Sequence, residues 1–254
     1  MKTMLVLSMG ALLLAGTLSA QTPVPEWQAG VDKMKSLIQT NPAQASEEVG
    51  ELLKGKNKKN VDLVTSVAHV YLDAGKLTEA QEYLAMAKKA NNKDPKVSVL
   101  EGDIALAQKN IGQACQLYEQ AIYFDPNCKE AYLKYAQAYK SASPALAIEK
   151  LEQLKAVDPN CLEADRELAE VYYSSNRFGK AAEMYAKFID TPLATEDDML
   201  KYAFALFLNH DFEKSLQVAQ KGLQKNARHA AFNRLVMYNN TDLKRYEDAE
   251  KAAH

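Results

Sequence analysis

The sequence predicts an all-α protein, a right-handed α-solenoid of stacked antiparallel helix hairpins. Three observations predict it. Gly and Pro are scarce among the 254 residues (10 and 8) while hydrophobic residues reach 47%, which suits helices around a continuous core better than β-sandwiches or barrels. Small residues and packing residues recur at spacings of three and four, so that they share one helix face. The whole pattern then returns at a period of 33 or 34 residues, and self-similarity at such a period marks a stacked array. Lys+Arg (31) and Asp+Glu (33) nearly cancel to a net charge of -2 and are interspersed along the chain. That reads as solvated helix faces without the basic excess of a nucleic-acid binder, so no nucleic-acid partner is expected.

Residues 1–20 stand apart. Met1-Lys2 is followed by an apolar run from Met4 to Ala15, broken only by Ser8 and Gly10, and then by Gly16, Thr17, Ser19 and Ala20. This is the pattern of a secretory signal peptide cut after Ala20. The run is shorter than the about 20 residues that span a bilayer, so no stable membrane insertion is expected after cleavage. The expected location is across the inner membrane, in a bacterial periplasm. Residues 21–60 read as a leader (Gln21 to Glu26, with Pro23 and Pro25) and a divergent N-terminal helical hairpin from Trp27 to about Gly55, broken at Asn41-Pro42. The basic run Lys54, Lys56, Lys58 and Lys59 reads as a solvated connector.

The repeat is clearest in Asp125-Pro126-Asn127-Cys128-Lys129-Glu130-Ala131 and Asp158-Pro159-Asn160-Cys161-Leu162-Glu163-Ala164, which lie 33 residues apart. Outward from them one frame recurs. Its sets are Ala68, Tyr71, Ala80, Leu84 and Ala87; Gly102, Ala105, Ala114, Tyr118, Ala121 and Pro126; Ala136, Tyr139, Ala147, Leu151 and Pro159; Ala169, Tyr172, Ala181 and Tyr185; and Ala203, Leu206, Ser215, Ala219 and Gly222. Five units follow at 61–94, 95–128, 129–161, 162–195 and 196–229, starting at Val61, Pro95, Lys129, Leu162 and Glu196. Small residues let two helices approach, and Tyr and Leu fill the remaining space. Gly75 suits the left-handed conformation that ends a helix. Thr78, with Gln81 three residues on, is expected to cap the next helix as a capping box. The Asp-Pro steps stop the second helix of a unit. Residues 230–254 begin a sixth unit with Ala249 at its second-helix small position, and the expectation is a truncated unit of a longer array.

This frame resembles the tetratricopeptide repeat family, whose 34-residue unit carries a small residue and Tyr three apart, an Ala-x-x-x-aromatic step and a terminal Pro. The departures are Leu154 and Phe188 at usually small places, Pro192 one place early, and a fifth unit without the Pro. The resemblance implies that the first helix of each unit lines a concave face, with four places pointing into the groove. Carried over, the second place holds Asp62, Lys96, Glu130, Glu163 and Asp197, and the fifth holds Thr65, Val99, Leu133, Arg166 and Leu200. The ninth holds His69, Asp103, Gln137, Glu170 and Phe204, and the twelfth holds Leu72, Leu106, Lys140, Tyr173 and Phe207. The binding candidates are Asp103, Gln137, Lys140, Arg166, Glu170, Tyr173, Phe204 and Phe207. Tyr173, Phe204 and Phe207 are anchors or ordinary packing, and Arg166 suits a two-pronged bond to a carboxylate. The Lys and Asn set with which a subset of the family grips peptide C-termini is missing from the pattern.

Catalytic signatures are missing too: there is no GxxxxGK, GxGxxG, HExxH or GxSxG. The four His (69, 210, 229, 254) show no ligand spacing with carboxylates, and the adjacent pairs Glu47-Glu48 and Asp197-Asp198 diverge from a helix. Cys115 reads as a small buried hydrophobe. Cys128 and Cys161 sit in equivalent places of stacked units, about 8–10 Å apart as packed helices are, so no bridge is expected. No enzyme activity, cofactor or metal is therefore expected. The expected function is a protein-interaction scaffold in the periplasm that binds an extended peptide or partner protein in its concave groove. The alternatives are a structural subunit of a larger cell-envelope assembly and a carbohydrate-associated binding role. The oligomeric state carries no signal in the sequence.

Overall fold

The computed structural model describes residues 24–253, so the signal-peptide reading of residues 1–20 and the first leader residues lie outside them. The described residues form fourteen α-helices and no strand: α1 Gln28–Leu37, α2 Pro42–Leu52, α3 Val61–Asp73, α4 Leu77–Asn91, α5 Pro95–Ala107, α6 Ile111–Phe124, α7 Lys129–Tyr139, α8 Pro144–Val157, α9 Leu162–Ser174, α10 Phe178–Phe188, α11 Glu196–Leu208, α12 Phe212–Lys225, α13 Ala230–Asp242 and α14 Tyr246–Ala253. A 3-10 turn, Gly55–Lys59, joins the second and third helices. Each odd-numbered helix packs on the even-numbered one that follows it, and each hairpin packs on the next. The odd-numbered helices also touch one another (α3 with α5, α5 with α7, α7 with α9, α11 with α13), while the even-numbered helices are splayed apart. That asymmetry bends the stack, with the first helices of the hairpins on the inside. The protein is an α-solenoid, as the sequence predicts.

Five of the seven turns inside the hairpins share one device. Gly75, Lys109, Asn176, His210 and Lys244 all have positive φ, between 57° and 75°. The residue after it closes each turn by donating to the carbonyl five positions back: the amides of Lys76, Asn110, Arg177, Asp211 and Arg245 donate to the carbonyls of Tyr71, Ala105, Tyr172, Leu206 and Asn240 at 2.8–2.9 Å. This is the left-handed helix ending in which orphan carbonyls find donors. The α7–α8 hairpin departs from it because its turn closes over one residue fewer. Ser143 takes the donor's place directly before α8, and Pro144 is the first residue of that helix, where its missing amide hydrogen costs nothing. There α7 stops at Tyr139, the Ser143 amide bonds to Tyr139 at 2.8 Å, and the unit is one residue shorter.

The expectation for Thr78 is corrected. Helix α4 begins at Leu77 with Lys76 before it and no side-chain cap, so Thr78 lies inside the first turn. The tight left-handed turn at Gly75 has already set the chain into the helix one residue before a capping threonine would be needed. The reciprocal capping box of the chain is at Thr195 and Asp198 instead. Asp125 and Asp158 end α6 and α8, and each side chain accepts from the amide two residues on, at 2.9 and 3.2 Å.

The small residues of the frame lie at the closest helix contacts. Ala68, Ala80, Ala114, Ala147, Ala169, Ala181 and Ala203 are fully buried. A Cβ on Gly102 would meet the Tyr118 ring at 2.5 Å, and one on Gly222 would meet the Phe232 ring at 2.5 Å. The place of Gly222 holds Leu154 and Phe188 in earlier units, both buried, so the frame tolerates a large residue where its neighbour allows it. Cys115 packs with Ala114 and Tyr118, and burial pushes its thiol up to about 11. All three cysteines are free thiols, with Cys128 and Cys161 immediately before α7 and α9. Among the described residues no helix is long and apolar enough to cross a membrane.

Two substitutions test this packing in opposite directions. Lys109→Gly removes a side chain from a left-handed turn and is expected to raise stability by about 0.5–1 kcal/mol. Gly102→Leu drives Tyr118 out of its place and is expected to lower it by about 1–3 kcal/mol. Urea denaturation followed by helical circular dichroism measures both.

Candidate functional site

The inner face is a row of side chains from successive first helices, and contacts one unit apart show the register. Lys96 pairs with Asp62 at 2.5 Å, His69 meets Asp103 at 3.0 Å and Lys129 pairs with Glu163 at 2.8 Å, each across 34 positions. Gln137 donates to Glu167 at 2.8 Å, Arg166 pairs with Asp198 at 3.0 Å, and Lys201 with Glu170 at 2.9 Å. These last two pairs bridge α9 to α11.

Several groove candidates are thereby engaged by side chains of the protein itself. Asp103 is only 7% exposed. Its two oxygens take the Tyr118 hydroxyl at 2.7 Å, Lys134 at 3.0 Å and the His69 ring, which joins α3, α5, α6 and α7 in one cluster. Burial alone would push this carboxyl up, but the bonds from His69, Tyr118 and Lys134 hold it below its usual value. Glu170 accepts from the Tyr185 hydroxyl at 2.8 Å besides Lys201. Arg166 is directed at Asp198, a buried carboxylate of the neighbouring unit.

The remaining candidates differ in exposure. Gln137 and Lys140 are exposed, and Lys140 makes no ion pair among the described residues. Tyr173, Phe204 and Phe207 are half-buried. Tyr173 sits edge-on to Phe178 of its own hairpin, and Phe207 packs on Phe212 and on Tyr238 of the next. They serve the packing between helices with one flank and face outward with the other.

The inner face also holds a cavity of about 330 Å³ near its N-terminal end. It is lined by Asp62, Thr65, Ser66 and His69 of α3, Lys96 of α5 and Glu130 of α7, and closed by Pro25 and Trp27. Five of these residues stand at groove places in the carried-over frame. Pro25, Trp27 and Ser66 were outside that frame, and the available signal was the single tryptophan of the chain directly after a Pro-x-Pro leader. Among the described residues no three His, Cys, Asp or Glu side chains are grouped to hold a metal ion.

The Asp103 cluster has a pH signature. A carboxylate held below its unfolded value contributes stability that is complete above the ordinary value of 3.8 and is lost as pH falls below it through the depressed one. Asp103→Asn is expected to destabilise the protein by about 1–3 kcal/mol at pH 7. The gap between wild type and variant, measured by thermal denaturation, should close as the pH is taken below that value.

A family model described as tetratricopeptide repeat matches residues 68–131 and 137–194. No curated protein matches the chain. Among solved structures, the type IV pilus biogenesis factor PilW superposes with a TM-score of 0.61 at 17% identity, covering 80% of this chain and 94% of its own. The C-terminal part of a repeat protein from Cytophaga hutchinsonii gives 0.62 at 18%, covering 87% and 92%. YrrB, described as having an unusual peptide-binding site, gives 0.53 at 14%, covering 72% and 94%. With a period of hairpins that the family model matches along its centre, the chain belongs to the tetratricopeptide repeat family.

Proposed function

We propose that this protein is a non-catalytic interaction scaffold, working outside the inner membrane in a bacterial periplasm, that holds an extended peptide or a partner protein along the inner face of the stack. The observation that carries the reading is the continuity of that face. Side chains from α3 to α11 lie in register, most of the charged ones are paired with a neighbouring unit, and a cavity opens among them. Paired charges make a pre-set surface, so a ligand meets groups that need little reordering on binding. The same fold carries a peptide-binding site in YrrB. The apolar run at Met4–Ala15 supports export. Gln137, Lys140 and the outward flank of Tyr173 are the proposed contacts in the middle of the groove, with Phe204 and Phe207 towards its C-terminal end.

A second reading, a structural subunit of a larger envelope assembly, is favoured by two exposed aromatics on second helices, Tyr123 at 82% and Tyr246 at 65%. Affinity capture separates the two. The immobilised chain, a groove variant carrying Lys140→Glu with Tyr173→Ala, and an outer-face variant, Tyr123→Ala, are exposed to an envelope extract after circular dichroism has shown equal helicity. A partner retained by the outer-face variant and lost by the groove variant is the expected result. The reverse pattern would give the structural reading instead.

A further inference from the structure

We propose that the cavity under Trp27 is a site for one basic side chain, the Lys or Arg of an extended peptide, seated between the Glu130 carboxylate and the indole ring. This rests on the groove reading and names what the N-terminal end of the groove recognises.

Size is the first argument. About 330 Å³ lies at the lower end of the range of small-ligand pockets, and it suits one long side chain with its neighbouring backbone. The charges are the second. Asp62 is matched by Lys96 at 2.5 Å, and His69 is turned to Asp103 at 3.0 Å. The hydroxyls of Thr65 and Ser66 donate back to carbonyls of their own helix, at 2.8 and 2.7 Å, which leaves their oxygens as acceptors. Glu130 is exposed and makes no ion pair among the described residues. The lining therefore carries one uncompensated negative charge beside several acceptors. An acidic side chain entering here would meet Glu130 and find Lys96 already engaged. An apolar one would strip water from Glu130 without replacing it. A cation satisfies both.

The walls make the same choice. Trp27 is packed against the buried cluster that contains Val31 and Met34, which holds the ring in place at the edge of the cavity. An indole face attracts a cation placed over it, most strongly among the aromatic side chains. Pro25 and the ring together offer apolar surface for the methylene stem of Lys or Arg, whose charged end then reaches Glu130.

Trp27 is the one tryptophan of the chain and lines this cavity, so its emission reports on binding there; it also borders a hollow with Glu48 and Glu51, and the Glu130 variants tell the two apart. The full chain is titrated with the blocked peptide acetyl-Ala-Ala-Lys-Ala-Ala-amide and with its Arg, N-acetyl-lysine and Glu counterparts. The Lys and Arg peptides are expected to change the emission saturably. The N-acetyl-lysine and Glu peptides are expected to bind at least about tenfold more weakly, or about 1.4 kcal/mol. Glu130→Gln should cost the Lys peptide a similar factor with helicity unchanged, and Glu130→Asp should recover part of it. Equal responses to the Glu or N-acetyl-lysine peptide would overturn the cation site while leaving the groove reading standing. An unchanged affinity in Glu130→Gln would overturn it too. Emission unmoved by every peptide, with capture by the groove intact, would place recognition elsewhere on the inner face, whereas loss of both would remove the groove reading itself.

Discussion

Everything in this molecule depends on how closely neighbouring helices approach at the small residues of the frame. No single hairpin can bury its apolar stripe alone, and stacking completes the core by contact with the next unit. At Gly102 and Gly222 the approach is so close that a methyl group would collide with Tyr118 and Phe232. Close contacts of this kind, within a hairpin at Gly102 and between hairpins at Gly222, fix how units stack, and the stacking sets whether Asp62 reaches Lys96, or Arg166 reaches Asp198, across the inner face. Packing comes first and the polar register follows from it.

The polar layer then has a part of its own. Asp103 and Asp198 are buried acids whose charged partners come from neighbouring units, and Asp165 takes Lys155 at 2.8 Å from the second helix before it and Lys187 at 3.2 Å from its own hairpin. A buried charge with several partners adds little net stability, because desolvation opposes the attraction. It is strict about geometry, however, since a unit shifted by one residue would leave the carboxylate without its donors. Such clusters fix register along a stack that apolar contacts alone would leave free to slide. The half-buried aromatics at the C-terminal side, Tyr173 and Phe207, combine the two tasks, packing on one flank and exposed on the other.

Much of the fold was legible because the repeat is a periodic signal read several times over. The first helices begin at Val61, Pro95, Lys129, Leu162 and Glu196, the residues from which the sequence period was counted, and Gly75 has the left-handed backbone its position called for. Local detail was harder. Thr78 has the chemistry of a cap, but the turn at Gly75 starts the helix ahead of it. The turn before Pro144 closes over one residue fewer, which a frame of small and aromatic residues shows only as a unit of 33 instead of 34. The inner-face residues were placed on their helices by the frame, yet whether a carboxylate faces a groove or a neighbour is decided by side chains some 30 positions away. An acid inside an otherwise apolar stretch, as Asp103 is between Gly102 and Ile104, was the available hint. The cavity at Trp27 involves the leader, which lies outside the repeat and so outside its period.

The central claim is that ligands meet the inner face of the stack. A photoreactive benzoylphenylalanine placed at Gln137 on that face, and in a second protein at Tyr123 on a second helix, tests it in the cell that makes the chain. Irradiation should give a crosslinked adduct from position 137 and none from position 123. Adducts from position 123 alone would contradict the account and make the outer surface the working one.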